Sequence, residues 1–371
     1  MRVCSAHYLP FVAQHCHGLI DIGIRYWSRD SREGSDVLRG NSNLVELSIT
    51  CDDKCASFSG IVLPKLKFIH VFGQGCDDLF CKAILNSCKQ LVYLSLLYTQ
   101  LSSSGLIEAV QFCPNLAYVM PPDLVDIDHA LQHITKVCIH IQHLDLENCR
   151  NLSDAGIIAV AKNVRSLRTI HFTYSPRITN ACLEHLAEHH YHSLEEFSVV
   201  ESFTRFLPEP ERVEPTAENL QAFNKAAVAL FREKCRQLRV FDWQRLVSWH
   251  TPDAEARIMK YVCSADRVTT LYLFYKNDTI LSAVATSCKQ LEILELAYSK
   301  SVHLCTDELL IKVAAECSTL RSVIVDPPQV ARVQQLYNGY PSIQVHSCSS
   351  GIYSYNLQSV YRREHNLKEY P

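Results

Sequence analysis

The sequence predicts an α/β solenoid in which short parallel strands stack along a concave face and one helix per repeat covers the convex face. Two observations carry that prediction. A cysteine, two variable residues and a leucine or isoleucine return about every 25 residues, at Cys16/Leu19, Cys88/Leu91, Cys113/Leu116, Cys138/Ile141, Cys235/Leu238, Cys288/Leu291 and Cys317/Leu320. After the leucine, apolar residues follow at offsets of three and five, as in Leu91, Leu94 and Leu96, which is the alternation of a strand with one buried face. A fixed period of this length marks stacked units, none of which can bury its apolar face alone.

Taken in order, the chain opens on a helical face formed by Leu9, Val12 and Ala13. Aligning Cys16 with Cys113 places the strand of that helix before Met1, so the chain is expected to start in mid-repeat, as a fragment or a short form of a longer protein. Six further beats lack the cysteine but keep the apolar triplet: Leu44/Leu47/Ile49, Leu66/Ile69/Val71, Leu167/Ile170/Phe172, Leu194/Phe197/Val199, Val268/Leu271/Leu273 and Ile343 with Val345. That makes thirteen strand-like units in all, read as one elongated domain over residues 1–348. Downstream of most strands the spacing lengthens to three and four, as in Leu106, Ala109, Val110 and Cys113, or across Asp154 to Ala161, and predicts a helix. The beat from Leu194 to Leu238 takes 44 residues. Its excess falls at 201–218, where Pro208, Pro210 and Pro215 exclude a regular helix. That insertion either leans over the concave face, with Glu201, Phe203, Phe206, Glu209 and Glu211 as candidate binding residues, or is a tolerated loop. Pro327-Pro328, a helix around Gln329 to Tyr337 and a strand at Ser342 to Val345 close the series. Residues 349–371 then form either a cap or a disordered tail.

Composition narrows the function. A net charge of −3 with dispersed basic residues gives little support for sequence-independent nucleic-acid binding. No apolar run reaches the length of a membrane helix, and His7, Pro10, Gln14 and His15 interrupt the opening residues, unlike a signal-peptide core. A cytoplasmic or nuclear location is expected. The 17 cysteines are an odd number, and seven hold one repeated position. They read as small buried plugs, not as disulfides or metal ligands. Gly73-Gln74-Gly75 lacks the third glycine of a dinucleotide loop, no phosphate loop is present, and no nucleophile stands at a recognisable spacing from a base. His185 and His189 share a helical face within the group His185, His189, His190 and His192, but the group is read as partly solvated surface. The expectation is therefore no enzyme, no cofactor and no metal.

The spelling Cys-x-x-Leu-x-x-Leu-x-Leu-x-x-Cys followed by Leu-Ser/Thr-Asp-x-Gly-Leu/Ile resembles the cysteine-containing leucine-rich repeat of F-box/leucine-rich-repeat proteins. Its fullest copy runs through Ile141, Leu144, Leu146, Cys149, Leu152, Asp154, Gly156 and Ile157, and weaker copies include Ile178-Thr179-Asn180-Ala181-Cys182-Leu183. The resemblance implies a leucine-rich-repeat horseshoe that binds proteins on its concave side. In family members with an F-box, that segment binds the adaptor of a cullin-type (SCF) ubiquitin ligase while the repeats hold the protein to be ubiquitinated. No F-box is recognisable here, so SCF adaptor and cullin are implied only through sequence upstream of Met1. The alternative is a standalone scaffold or inhibitor. A small-ligand receptor is a third reading, which lacks a convergent group of arginines or lysines. In the repeat, Ser/Thr-Asp before each helix is expected to cap it, Asp154 included.

Residues between the strand leucines should face the concave side, because strand side chains alternate. The candidate protein-binding residues there are Tyr93, Tyr118, His143, Asp145, Glu147, His171, Glu196, Asp242, Gln244, Tyr272, Phe274, Glu295 and Asp326. Their acidic and aromatic character suits a basic or mixed peptide segment.

Overall fold

A computed structural model describes residues 4–25, 32–51, 60–147, 149–173, 175, 177–200, 231, 233–242, 267–273, 278–296 and 306–347. They divide into two compact units, Met1–Leu194 with Glu233–Cys235, and Glu195–Arg232 with Arg236–Pro371. In the first unit eight strands run parallel in chain order: β1 (Cys4–Ser5), β2 (Asp21–Arg25), β3 (Glu46–Thr50), β4 (Phe68–Phe72), β5 (Tyr93–Leu97), β6 (Tyr118–Met120), β7 (His143–Leu146) and β8 (Thr169–Thr173). Between them lie α1 (Leu9–His15), α2 (Arg32–Arg39), α3 (Asp78–Leu85), α4 (Ser103–Val110), α5 (Ile127–Val137) and α6 (Asp154–Asn163), with α7 (Asn180–His189) after β8. The second unit repeats the plan with parallel strands β9 (Glu196–Val200), β10 (Val240–Asp242), β11 (Thr270–Tyr272), β12 (Ile293–Leu296), β13 (Ser322–Val325) and β14 (Gln344–Ser347). Its described helices are α8 (Asp278–Ser287), α9 (Asp307–Glu316) and α10 (Val330–Leu336). One strand per repeat, a helix between most successive strands among the described residues, and every pairing parallel and in chain order make an α/β leucine-rich-repeat solenoid. The strand of the first helix lies within the chain at Cys4–Ser5, paired with Ile24 and Arg25, and not before Met1 as the repeat alignment predicts.

The cysteine beat has a backbone cause. Cys16, Cys88, Cys113, Cys138, Cys288 and Cys317 each follow a helix, with the cysteine N–H closing the last turn, as in Cys138 N to Ile134 O at 2.7 Å and Cys317 N to Val313 O at 2.9 Å. At Cys88, Cys113, Cys138, Cys288 and Cys317 the carbonyl then accepts the N–H three residues on, at 3.0 Å for both Leu91 to Cys88 and Leu320 to Cys317, and this tight turn fixes the two-residue spacer. The thiols are free, all buried except the half-buried Cys16, and Cys138 Sγ donates to Cys113 O of the preceding repeat at 3.4 Å. Burial pushes the thiols of Cys88 and Cys138 up to about 12 and that of Cys317 to about 11, so they stay protonated. Cys51, outside the beat, is disulfide-bonded, against the expectation that the thiols act only as packing groups.

Two repeats put a polar residue at the turn instead. Asn41, three residues before Leu44, accepts from Gly18 N (2.7 Å) and Leu19 N (2.8 Å) and donates to Cys16 O (2.9 Å) and Val37 O (2.8 Å). His190, which the sequence groups with solvated histidines, is buried before Leu194. Its Nδ1 accepts from Leu167 N (3.3 Å) and its Nε2 donates to Ala161 O (3.1 Å). Burial, offset in part by the Ala161 bond, lowers its pKa to about 4.

The Ser/Thr-Asp pairs divide their work between two repeats. Ser153 caps its own helix, accepting from Ala155 N at 3.2 Å, whereas Asp154 accepts from Thr179 N (2.8 Å) and Thr179 Oγ1 (2.6 Å) at the next helix start. Asp154 is thus a staple between repeats and not the cap of α6. Asp78 holds Ser102 in the same way, and Asp128 holds Ser153 and also accepts from Arg177 Nη2 at 3.1 Å. The glycine of the motif makes room for that carboxylate. A Cβ on Gly105 would stand 2.0 Å from Asp78 Oδ1, and one on Gly156 would stand 2.6 Å from Asp128 Oδ1. Among the described residues no helix is long and apolar enough to cross a membrane.

Candidate protein-binding surface

In the first unit the residues between the strand leucines form two rows across neighbouring strands. Phe68, Tyr93, Tyr118, His143 and Thr169 stand in register. Tyr93 and Tyr118 stack with ring centroids 4.3 Å apart and planes 13° apart, and His143 Nδ1 lies 3.0 Å from Thr169 Oγ1. The second row runs through Ser48, His70, Ser95 and Met120, with His70 Nδ1 2.9 Å from Ser95 Oγ, and on β7 and β8 Asp145 pairs with His171. Asp145 Oδ1 accepts from Glu147 N at 3.1 Å, and Glu147 Oε1 lies 3.8 Å from His171 Nδ1.

The structure brings Tyr93, Tyr118, His143, Asp145, Glu147 and His171 together, but it buries all six, where the alternation places them on an open inner face. Strand neighbours about 4.8 Å apart press rings and carboxylates of this size against one another. Burial comes first in raising Asp145 to about 7, followed by the Glu147 carboxylate; His171, the Glu147 N–H and the Tyr118 hydroxyl oppose it. Burial also pushes the Tyr118 phenol well up.

In the second unit Glu295 is buried on β12, Glu196 is half-buried, and Asp326 is half-buried before Pro327. Asp242 and Tyr272 lie on β10 and β11, where they pair with Ser198 and Glu295, but their side chains are outside the described residues. Gln244, Phe274 and the loop residues Glu201, Phe203, Phe206, Glu209 and Glu211 also lie outside them.

Sequence reasoning misses an aromatic pair at the strand ends. Phe72 closes β4 and Tyr98 follows β5, with ring centroids 5.2 Å apart and planes at 65°. Both are exposed, at 37% and 56%. Tyr98 has φ 56, the one positive φ outside glycine among the described residues. A bulky residue in the left-handed region costs roughly 1–2 kcal/mol that glycine would avoid. The sequence signal was there: Tyr98 stands outside the apolar triplet, directly after a strand, beside Phe72 one repeat earlier.

No known family model matches the chain. Over 157 residues, 39% of its length, it is 25% identical to the F-box/LRR-repeat protein 4 of Bos taurus, and it spans about a quarter (25%) of that relative. Among solved structures, a chain of the Rad7 and Elc1 complex from yeast overlays at a TM-score of 0.45 with 13% identity, covering 92% of this chain and 83% of that one. The leucine-rich-repeat-containing protein LegL7 of Legionella pneumophila gives 0.44 with 13% identity, covering 92% of this chain and 100% of LegL7. With its cysteine-ended helices, stapled Ser/Thr-Asp turns and parallel strand stack, the chain is a leucine-rich-repeat protein-binding module that over part of its length is similar to an F-box/LRR-repeat protein.

Proposed function

We propose that the repeats recognise a protein destined for ubiquitination, as the substrate-holding part of a cullin-type (SCF) ubiquitin ligase, with the Phe72/Tyr98 edge of the first unit as an anchor point. The observation that carries the docking site is Tyr98: an exposed tyrosine keeps a left-handed backbone beside a second exposed aromatic. Tyrosine and tryptophan anchors of this kind dominate protein interfaces. The buried Tyr93, Tyr118, His143, Asp145, Glu147 and His171 underlie the inner face and hold its strands, and the similarity to an F-box/LRR-repeat protein supports the ligase role.

The test has two arms. Proteins captured from cells by the full chain are compared with those captured by Tyr98→Gly and Phe72→Ala, and the abundance of each specific partner is followed after cullin ligases are inhibited. A substrate is lost from both variants by about tenfold and accumulates on inhibition. A partner whose abundance ignores both cullin inhibition and removal of this chain supports the standalone scaffold instead. Capture unchanged by either substitution overturns the docking site.

A further inference from the structure

The histidine group at the end of α7 resolves into two different things. His190 is a buried turn residue, its two nitrogens taken by backbone. His185, Glu188 and His189, at spacings of three and four on one helix face, bring one donor atom each to within 4.8 Å of one another. His185 Nδ1 is 3.6 Å from Glu188 Oε2 and, though buried, makes no hydrogen bond among the described residues. His189 Nδ1 lies 3.0 Å from the His185 carbonyl and can only donate to it, so Nε2 carries the lone pair. That backbone bond to the second nitrogen is the arrangement that orients ligating imidazoles in metal sites. On the opposite face Cys182, Leu183, Leu186 and Ala187 are buried and fix the helix, so its outer face is held still. The three donors also occupy the C-terminal turns, where the helix dipole favours a cation.

We propose that His185, Glu188 and His189 form a site for a divalent transition-metal ion of the zinc type, with water or a partner side chain completing its coordination. Two imidazoles and a carboxylate suit that ion, whose ligands at ~2.0–2.1 Å stand ~3.4 Å apart in a tetrahedron. The exposed Glu188 side chain closes the remaining distance by rotation. The molecule supplies its own control. His129 and His133 on α5 repeat the pair, with ring centroids 4.4 Å apart and His133 Nδ1 3.0 Å from the His129 carbonyl, but Gln132 stands where α7 has Glu188. A neutral amide in place of the carboxylate leaves that pair a weak site.

Titration of the tag-free full chain with zinc tests the assignment. One ion is expected to bind with a Kd in the micromolar range. Replacing both His185 and His189 with alanine is expected to weaken it by at least ~50-fold and Glu188→Gln by ~10-fold, while alanine at both His129 and His133 leaves it within ~2-fold. The zinc-dependent rise in Tm should disappear with the α7 histidines and persist without the α5 pair. Glu188 is exposed, so Glu188→Gln keeps the test valid should the double histidine variant fold poorly. Absence of saturable zinc binding by the parent chain, or zinc affinity unchanged in Glu188→Gln and in the α7 histidine variant, overturns the site.

Discussion

Asn41 satisfies four backbone groups of two repeats with one amide, all at 2.7 to 2.9 Å. Asn41→Ala leaves the Gly18 and Leu19 amides and the Cys16 carbonyl without their partner, and a cost of about 3 kcal/mol in urea unfolding is expected. A loss under about 1 kcal/mol would show that water replaces the amide easily. Residues of this kind explain what the sequence could and could not convey. The cysteine column is legible because a small apolar thiol repeats at one place. Asn41 and His190 occupy the same turn, but a polar residue between apolar runs reads as loop or surface. Only the three-residue spacing from Asn41 to Leu44 betrays the first, and His190 hides even that, with its carbonyl accepting from Leu194 four residues on.

At the scale of elements, helix starts are stapled laterally, and the motif's aspartate and glycine belong to different repeats of the same contact. Gly156→Ala should drive its Cβ into Asp128 and cost about 2–3 kcal/mol. Asp128→Ala removes the acceptor for Ser153 N, Ser153 Oγ and Arg177 and should cost a similar ~2–3 kcal/mol. Because the first loss arises from contact with the removed carboxylate, the double variant should fall short of the sum by at least ~1 kcal/mol. Additive losses would mean that the glycine serves the helix backbone and not the staple. The strands, helices and turns were readable from periods of two and 3.6 and from the beat that sets them. The staple was not, because a Ser-Asp pair before a helix looks like a cap whichever repeat its carboxylate serves. In the second unit Asp278 accepts from Thr306 N at 3.3 Å, while Asp307 meets Arg332 Nε at 2.9 Å, so the device ends on an ion pair.

For the whole molecule, two buried groups of the first unit pull the pH dependence of stability in opposite directions. His190 is lowered from 6.5 to about 4, so between those values the unfolded chain takes up a proton that the folded one refuses, and stability falls as pH falls. Asp145 is raised from 3.8 to about 7, so across that range the folded chain keeps a proton that the unfolded one releases, and stability falls as pH rises. The two slopes offset one another from about pH 4 to 6.5, and between there and about pH 7 only the Asp145 loss remains. Asp145→Asn keeps an oxygen for the Glu147 amide and removes the buried charge. The variant should therefore be more stable than the parent at pH 7.5, by on the order of 2–4 kcal/mol, and nearly equal to it at pH 4. It should also reveal the His190 slope as a rise in unfolding free energy from pH 4 to 6.5, in a window where the parent is nearly flat. Urea unfolding across pH 4 to 8 measures both effects. A variant profile parallel to that of the parent would show that Asp145 is ionised in the folded chain at every pH in that range, with the charge held by His171 and the Tyr118 hydroxyl instead of suppressed by burial.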